Sequence, residues 1–120
     1  MLFGHPLISV RTGVFVLHAA GCLEGKRATT HCGSLQRLRE LGDVAVVEER
    51  WVRDGAVWTS AGVAAGMDVI LAVIADVAGD EVAGRVQFAS EYYPAPRRYG
   101  NFMDHPGMPA YARSGAGSAS

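Results

Sequence analysis

Residues 8–17, which read ISVRTGVFVL, decide how the rest of the chain is organised. A β-branched run ends at Val10, a short polar turn containing a glycine follows, and an apolar segment then continues towards Gly21. This order predicts a buried strand, a sharp turn and a helix. In α/β enzymes, such a turn often holds the nucleophile at the carboxyl edge of the sheet. Here the residue at the turn is Arg11, and a guanidinium group is not a nucleophile.

The composition is that of one small globular domain: the chain has 120 residues, of which 49% are hydrophobic and 19% charged. The formal net charge of −1 gives no indication of a nucleic-acid partner or of an anionic membrane surface. No apolar run reaches the roughly 18–20 residues of a membrane-spanning helix, and no signal peptide is evident at the N-terminus. The spacing of Cys22 and Cys32 alone allows a disulfide, but without a secretion signal we predict a cytoplasmic protein in which both are free thiols.

The hydrophobic pattern predicts alternating strands and helices. Strands are expected at 6–10, 26–30 and 44–48, and helices after Gly13, from Ser34 to Gly42, over 67–78 and from Asp80 onwards. Asp54-Gly55 lies between two β-rich runs and predicts a two-residue hairpin turn with positive φ. Strands that alternate with helices imply a mostly parallel sheet that is covered on both faces.

The same pattern predicts which side chains are buried. Thr12 is expected to cap a helix that is buried on most of its sides. The later helices are expected to bury two apolar stripes: Met67, Ile70, Leu71 and Ile74, and Val82, Val86, Ala89 and Tyr93. Pro94 and Pro96 then end the last helix.

Several motifs occur in unbroken order between residues 7 and 96. They read SVRTG at 9–13 with AAGCLEG at 19–25, RATTH at 27–31, VRDG at 52–55 with TSAGVAAGMD at 59–68, and VQF at 86–88 with EYYPAP at 91–96. Together they resemble the ThiJ/PfpI family of the class I glutamine-amidotransferase-like superfamily, and the last pair is most similar to its isocyanide hydratase-like branch.

The resemblance implies an α/β fold, namely the C-terminal half of a flavodoxin-like three-layer α/β/α sandwich with a β-hairpin. In this interpretation, residues 1–96 form a partial ThiJ/PfpI-like domain that lacks the N-terminal strands. Residues 97–111 form an irregular docked arm, and residues 112–120 form a disordered Gly/Ser-rich tail.

The resemblance also implies a chemistry. In isocyanide hydratases, a cysteine at the turn after the strand attacks the isocyanide carbon, and water then releases an N-substituted formamide. Arg11 occupies the position of that cysteine, and the acidic partner of the family lies on early strands that this sequence does not contain. We therefore predict a catalytically inactive relative. The resemblance places Arg11, Thr12 and His31 at the family's catalytic positions. It places Gly13, Gly62 and Val63 at its binding positions.

Other interpretations remain beside this one. The Thr12 backbone N–H and the Arg11 guanidinium would suit a small anion. Cys32 is either an ordinary thiol or a reactive group beside His31, although neighbouring residues on a strand point to opposite faces. Alternatively, the chain is a non-catalytic small-anion-binding or protein-interaction module, or the remnant of a ligand-sensing domain from an AraC-type transcription regulator, and a small molecule is among the expected ligands. As partners we expect a second copy, in a dimer or larger homo-oligomer, or an intact homologue. The histidine spacing predicts no metal site, and no cofactor is expected.

Overall fold

The computed structural model describes residues 5–94, 99, 100, 102 and 104–114. The strands are β1 (Leu7–Val10), β2 (Arg27–Ala28), β3 (Ala45–Val46), β4 (Trp51–Asp54) and β5 (Val57–Ser60). The helices are α1 (Val14–Ala19), α2 (Leu35–Arg39), α3 (Ala65–Ala78), α4 (Asp80–Ser90) and α5 (Ala110–Ser114). Short 3₁₀ turns, Arg11–Gly13 and Cys32–Ser34, lead into α1 and α2.

The strands form two small sheets in the described part of the chain, where the sequence predicted one mostly parallel sheet. One sheet has the order β1-β5-β4, with β1 parallel and β4 antiparallel to β5, and the other pairs β2 with β3 in parallel. The segment after β2 is tied to β5 through a side chain, because Thr29 N–H donates to Thr59 Oγ1 at 2.9 Å. β2 itself is shorter than predicted and covers only Arg27–Ala28.

The predicted hairpin is present, but its turn lies one residue later than expected. Asp54 pairs with Val57, so the turn residues are Gly55 and Ala56. Gly55 has a φ of +62°, which is typical of a type II′ turn with glycine at the first turn position. Asp54 stays in the strand, where its Oδ2 accepts a hydrogen bond of 2.8 Å from Arg27 N–H.

Neighbouring residues of β5 place the hydrophobic core on both sides of the sheet. Val57 belongs to a cluster on the side of α1 and α2, and Trp58 belongs to a cluster under α3. Because successive strand residues point to opposite faces, the sheet separates two apolar layers. The members of the first cluster are Val14, Leu23, Ala28, Leu38 and Val57, and those of the second are Trp58, Val69 and Val73.

Helix α1 is less buried than predicted, and its capping is different. Val14 is completely buried, but Val16 is 71% exposed. Thr12 does not cap the helix, because no side chain makes a cap hydrogen bond at either the 3₁₀ turn or α1. The 3₁₀ turn Arg11–Gly13 instead leads directly into α1.

The buried faces of α3 and α4 also differ from the prediction. In α3 the buried residues are Ala65, Gly66, Val69 and Val73, whereas Met67 and Ile70 are 47% and 41% exposed. The small residues Ala65 and Gly66 let the helix approach the sheet closely, and this sets the face that is buried. Helix α4 has no buried residue at all because it packs on α3 and not on the sheet. Val82, Val86, Ala89 and Tyr93 are accordingly exposed.

The C-terminal segment contains one short helix, α5, which crosses the boundary between the predicted arm and tail. Ala110 N–H donates to Glu48 Oε1 at 2.8 Å, and this bond attaches the start of α5 to the segment after β3. Residues 115–120 of the predicted tail, and the proline at position 96, lie outside the described residues. None of the helices described has the length and apolar character needed to span a bilayer.

Candidate functional site

The connection between β1 and α1 is a left-handed turn at Arg11. Its φ is +56°, a conformation that costs a residue with a Cβ about 1–2 kcal/mol. A strained residue between a strand and a helix is the geometry that exposes a nucleophile in α/β enzymes. Arg11 and Thr12 are both exposed. The turn therefore presents a guanidinium group to solvent where such enzymes present a nucleophile.

Two buried hydroxyl groups hold this turn. Thr30 Oγ1 donates to the Arg11 carbonyl at 2.6 Å, and Ser60 Oγ donates to the Ser9 carbonyl at 2.9 Å. Ser9 Oγ is itself buried and has no hydrogen-bond partner among the described residues. A Cβ on Gly13 would lie at an ordinary 3.7 Å from the Ser9 Cβ, so contact space does not require a glycine there. The conformation of the turn therefore depends on Thr30 and Ser60.

His31 and Gly62 lie beside each other next to this turn. Thr30, the residue before His31, makes the bond to the Arg11 carbonyl, and a Cβ on Gly62 would lie 4.0 Å from His31 Cδ2. His31 Nδ1 accepts a 3.1 Å hydrogen bond from Gly33 N–H, which places the ring proton of neutral His31 on Nε2. His31 thus has a structural role at the start of the 3₁₀ turn before α2.

Val63 and Cys32 line two separate pockets. Val63 is 72% exposed and lines an apolar groove beside α3. Cys32 is a free, partly buried thiol that lines a cavity of about 240 Å³ with Phe102, His105 and Pro109. Of the sequence candidates, the structure gathers Arg11, His31 and Gly62 at one place. Among the described residues, no three His, Cys, Asp or Glu side chains are grouped so that they could hold a metal ion.

The structure contains a polar network that the sequence did not reveal. Asp68, in the first turn of α3, accepts a hydrogen bond of 2.5 Å from Arg50 Nε at Oδ2 and one of 2.7 Å from Tyr92 OH at Oδ1. Burial and the Asp68 carboxylate raise the pKa of Tyr92. Burial acts to lower the pKa of Arg50, but the bond and charge of Asp68 outweigh it, so the pKa of Arg50 is raised. The network ties the start of β4 and the end of α4 to α3.

The raised pKa of Tyr92 gives an expected pH dependence. Below the ordinary tyrosine pKa of about 10 the phenol is protonated in both the folded and the unfolded chain, and the bond to Asp68 contributes fully. Above that pH the unfolded chain ionises first, so this contribution to stability is lost as the pH rises through the folded pKa. Ultraviolet titration of tyrosinate should show late-ionising tyrosines in the native protein.

The matched variant for this titration is Tyr92→Phe. It should remove one equivalent from the late-ionising class and leave the signal of Tyr111, whose pKa is also raised by burial. A titration curve for Tyr92→Phe that loses only early-ionising signal would contradict the hydrogen bond to Asp68.

These features define an α/β protein built around a strand, a left-handed residue and a helix. The DJ-1/PfpI family matches residues 2–76, which is more than half of the sequence, and the chain belongs to this family. The ThiJ/PfpI resemblance and the flavodoxin-like α/β fold predicted from the sequence are confirmed.

Three relatives illustrate the relationship. The isonitrile hydratase of Pseudomonas putida is 47% identical over 88 residues, which cover 73% of this chain and 38% of that protein. The HTH-type transcriptional regulator CdhR of Pseudomonas aeruginosa is 37% identical over 84 residues, which cover 69% of this chain and 25% of that protein. The crystal structure of a ThiJ/PfpI family protein from Pseudomonas syringae superposes with a TM-score of 0.73 at 35% identity, covering 92% of this chain and 44% of the other. The chain thus spans less than half the length of these relatives.

Proposed function

We propose that this chain is a non-catalytic, small-molecule-binding member of the DJ-1/PfpI family. The observation that carries the proposal is Arg11 at the left-handed turn. A guanidinium remains protonated at any working pH and offers no lone pair for attack. Covalent thiol chemistry therefore cannot begin at this position, while the backbone that presents the side chain is retained.

The isonitrile hydratase relative indicates which class of ligand to test. Isonitrile hydratase, as its name says, acts on isonitriles, and its identity of 47% covers 73% of this chain. We take small organic molecules of this kind, the isonitrile or the corresponding N-substituted formamide, as the ligand class to test. Binding without turnover is the behaviour we expect of this pseudoenzyme.

The regulator relative favours a second function, ligand sensing. The CdhR match covers 69% of this chain, which shows that closely related sequence also occurs within a transcriptional regulator. A sensing domain needs to bind a ligand and gains nothing from turning it over. Replacement of the nucleophile by Arg11 fits such a domain.

The decisive measurement is formamide production from a simple alkyl isocyanide. The wild-type protein and Arg11→Ala should both give no product above the rate without protein, because neither has a nucleophile at the turn. Turnover by the wild type that is lost in Arg11→Ala would overturn the proposal.

Binding is measured separately, by thermal unfolding with the isocyanide or the formamide present. A ligand that binds only the native state stabilises it and so raises the Tm. At a ligand concentration one hundred times Kd, the free energy of unfolding increases by about 2.7 kcal/mol. The absence of any rise with either compound would overturn the binding part of the proposal and leave the lack of catalysis standing.

A further inference from the structure

Helix α4 is held to the rest of the protein by little apolar contact. It packs chiefly on α3, and among its residues, all of which the structure describes, only Ala83 and Gln87 are partly buried. Its larger apolar side chains are exposed, at 40% for Val86 and 75% for Phe88. Because the stability of a protein helix comes mostly from the packing of its apolar face, the docking of α4 on α3 is weak.

The sequence of α4 does not stabilise the helix on its own either. The helix has 11 residues, whereas isolated helices shorter than about 12–15 residues are marginal in water. Gly84 lies inside it, with open space where a Cβ would be, and a glycine inside a helix disfavours the helical state about fivefold relative to alanine. Once α4 leaves α3, we therefore expect it to unwind.

A single glycine connects α3 to α4. Gly79 has a φ of +95° and a ψ of 162°, a conformation that is open to glycine and to almost no other residue. Its N–H donates to the Ala75 carbonyl at 3.0 Å, and its carbonyl accepts a hydrogen bond of 3.2 Å from Ala83 N–H. The change of direction between the two helices is thus made at this one residue, and α4 can leave α3 by rotation there.

A hydrogen bond to a carboxylate fastens the other end of α4. Tyr92 OH donates to Asp68 Oδ1 at 2.7 Å, and Arg50 Nε holds the second oxygen of Asp68. Tyr92 belongs to the end of α4, because its N–H donates to the Gln87 carbonyl at 3.2 Å and its carbonyl accepts from Gln87 Nε2 at 3.1 Å. We call the Tyr92–Asp68 hydrogen bond the latch. Since Arg50 directly precedes β4, the latch ties this end of α4 to the sheet as well as to α3.

We propose that α4 is a lid that opens as one unit, with Gly79 as the hinge and the latch as its fastening. In the open form α4 has left α3 and unwound, while the sheets and the other helices keep their structure. Weak packing, low intrinsic helix stability and a one-residue connection all make this partial opening easier than unfolding of the whole chain. The inference does not depend on the proposed function, since no ligand takes part in it.

Opening changes the apolar surface beside the left-handed turn. A groove of about 390 Å³ lies between α3 and α4, and it reaches Val10, the residue before Arg11. On the α4 side, the groove is lined by Val86, Ser90 and Tyr92. When the lid opens, these three side chains leave the groove, and its α3 side becomes accessible to other molecules. The lid thus controls access to this surface.

Amide hydrogen exchange of the full chain measures how easily the lid opens. In the wild type, the amides of residues 83–92 should exchange at least about tenfold faster than those in the middle of α3 and in β5, because a partial opening releases them. Val57→Ala separates this opening from global unfolding. Val57 is 4% exposed in the cluster on the α1 side, so its truncation should speed exchange in β5 by about tenfold or more. Residues 83–92 should stay within about twofold of their wild-type rates, since the lid opens without breaking that cluster.

Tyr92→Phe removes only the hydroxyl group of the latch. Because the bond to the carboxylate is broken in the open form, exchange of residues 83–92 should become about tenfold faster, by a similar factor along the whole helix. Tyr93→Phe is the matched control, because Tyr93 is the next residue, is 59% exposed and lies outside the latch. It should leave these rates within about twofold of the wild type.

Circular dichroism checks that the variants fold, and Val52→Ala, at a completely buried position of β4, replaces Val57→Ala if that variant does not. Three results would overturn the proposal. The first is exchange of residues 83–92 at the rate of α3 and β5, or their acceleration by Val57→Ala, because α4 would then open only with the whole fold. The second is equal exchange in the Tyr92 and Tyr93 variants. The third is acceleration by Tyr92→Phe that is confined to residues 90–92, which would be fraying of the helix end and not the opening of a lid.

Discussion

Replacing Trp58 with alanine should lower the free energy of unfolding by about 3–5 kcal/mol. Trp58 is 3% exposed and is packed with Val69 and Val73 between the sheet and α3. Its ring centroid lies 5.7 Å from that of Trp51, and the Arg53 guanidinium carbon lies 4.6 Å from the centre of the Trp58 ring. The substitution removes the largest buried side chain of the layer under α3 and leaves a cavity that rigid helix and sheet elements fill only partly.

Chemical denaturation followed by far-ultraviolet circular dichroism measures this loss, because the variant lacks one of the two tryptophans and its fluorescence is not comparable. Trp58→Phe serves as the control, since it keeps an aromatic ring and should lose considerably less. A loss below about 1 kcal/mol for Trp58→Ala would show that α3 is not held by this side chain.

Thr30→Val should lower the free energy of unfolding by about 1–3 kcal/mol. The valine has nearly the same shape but cannot donate the 2.6 Å hydrogen bond to the Arg11 carbonyl. The Arg11 carbonyl then loses its partner beside a residue that is only 1% exposed. Since this bond joins the segment after β2 to the left-handed residue, the loss should be accompanied by faster amide hydrogen exchange at the start of α1.

Thr30→Ser separates the hydroxyl from the methyl group. It keeps the donor and should retain slow exchange at the start of α1, although it loses a buried methyl group. If the serine and valine variants showed the same exchange rates there, the hydroxyl would not be what holds the turn.

The motifs predicted the family and the order of the elements, but periodicity failed for the helix faces. Helix α3 is apolar nearly all round, so more than one stripe satisfies a helical period. The choice between them is made by Ala65 and Gly66, whose size allows contact with the sheet. Such a contact depends on residues far away in the sequence, and the same is true of α4, whose apolar residues stay exposed while it packs chiefly on α3.

The candidate site could be predicted only in part, because some of its residues lie in short motifs and others are far apart in the sequence. Arg11, His31 and Gly62 belong to short motifs that can be recognised one at a time. The Arg50–Asp68–Tyr92 network was missed because its members are separated by 18 and 24 residues and come together only in the folded chain. Taken alone in the sequence, Asp68 is an acidic residue near the start of a predicted helix, which is a common position for such a residue.

At Arg11, the conformation of the backbone and the identity of the side chain are set by different constraints. The path from β1 into α1 imposes this backbone shape, whichever side chain occupies the position. The positive φ therefore limits which residues fit at this position, whatever chemistry they carry. Glycine, asparagine and aspartate are tolerated most easily, and β-branched residues least. Within these limits the side chain at position 11 can change without a change in the path of the backbone from β1 into α1.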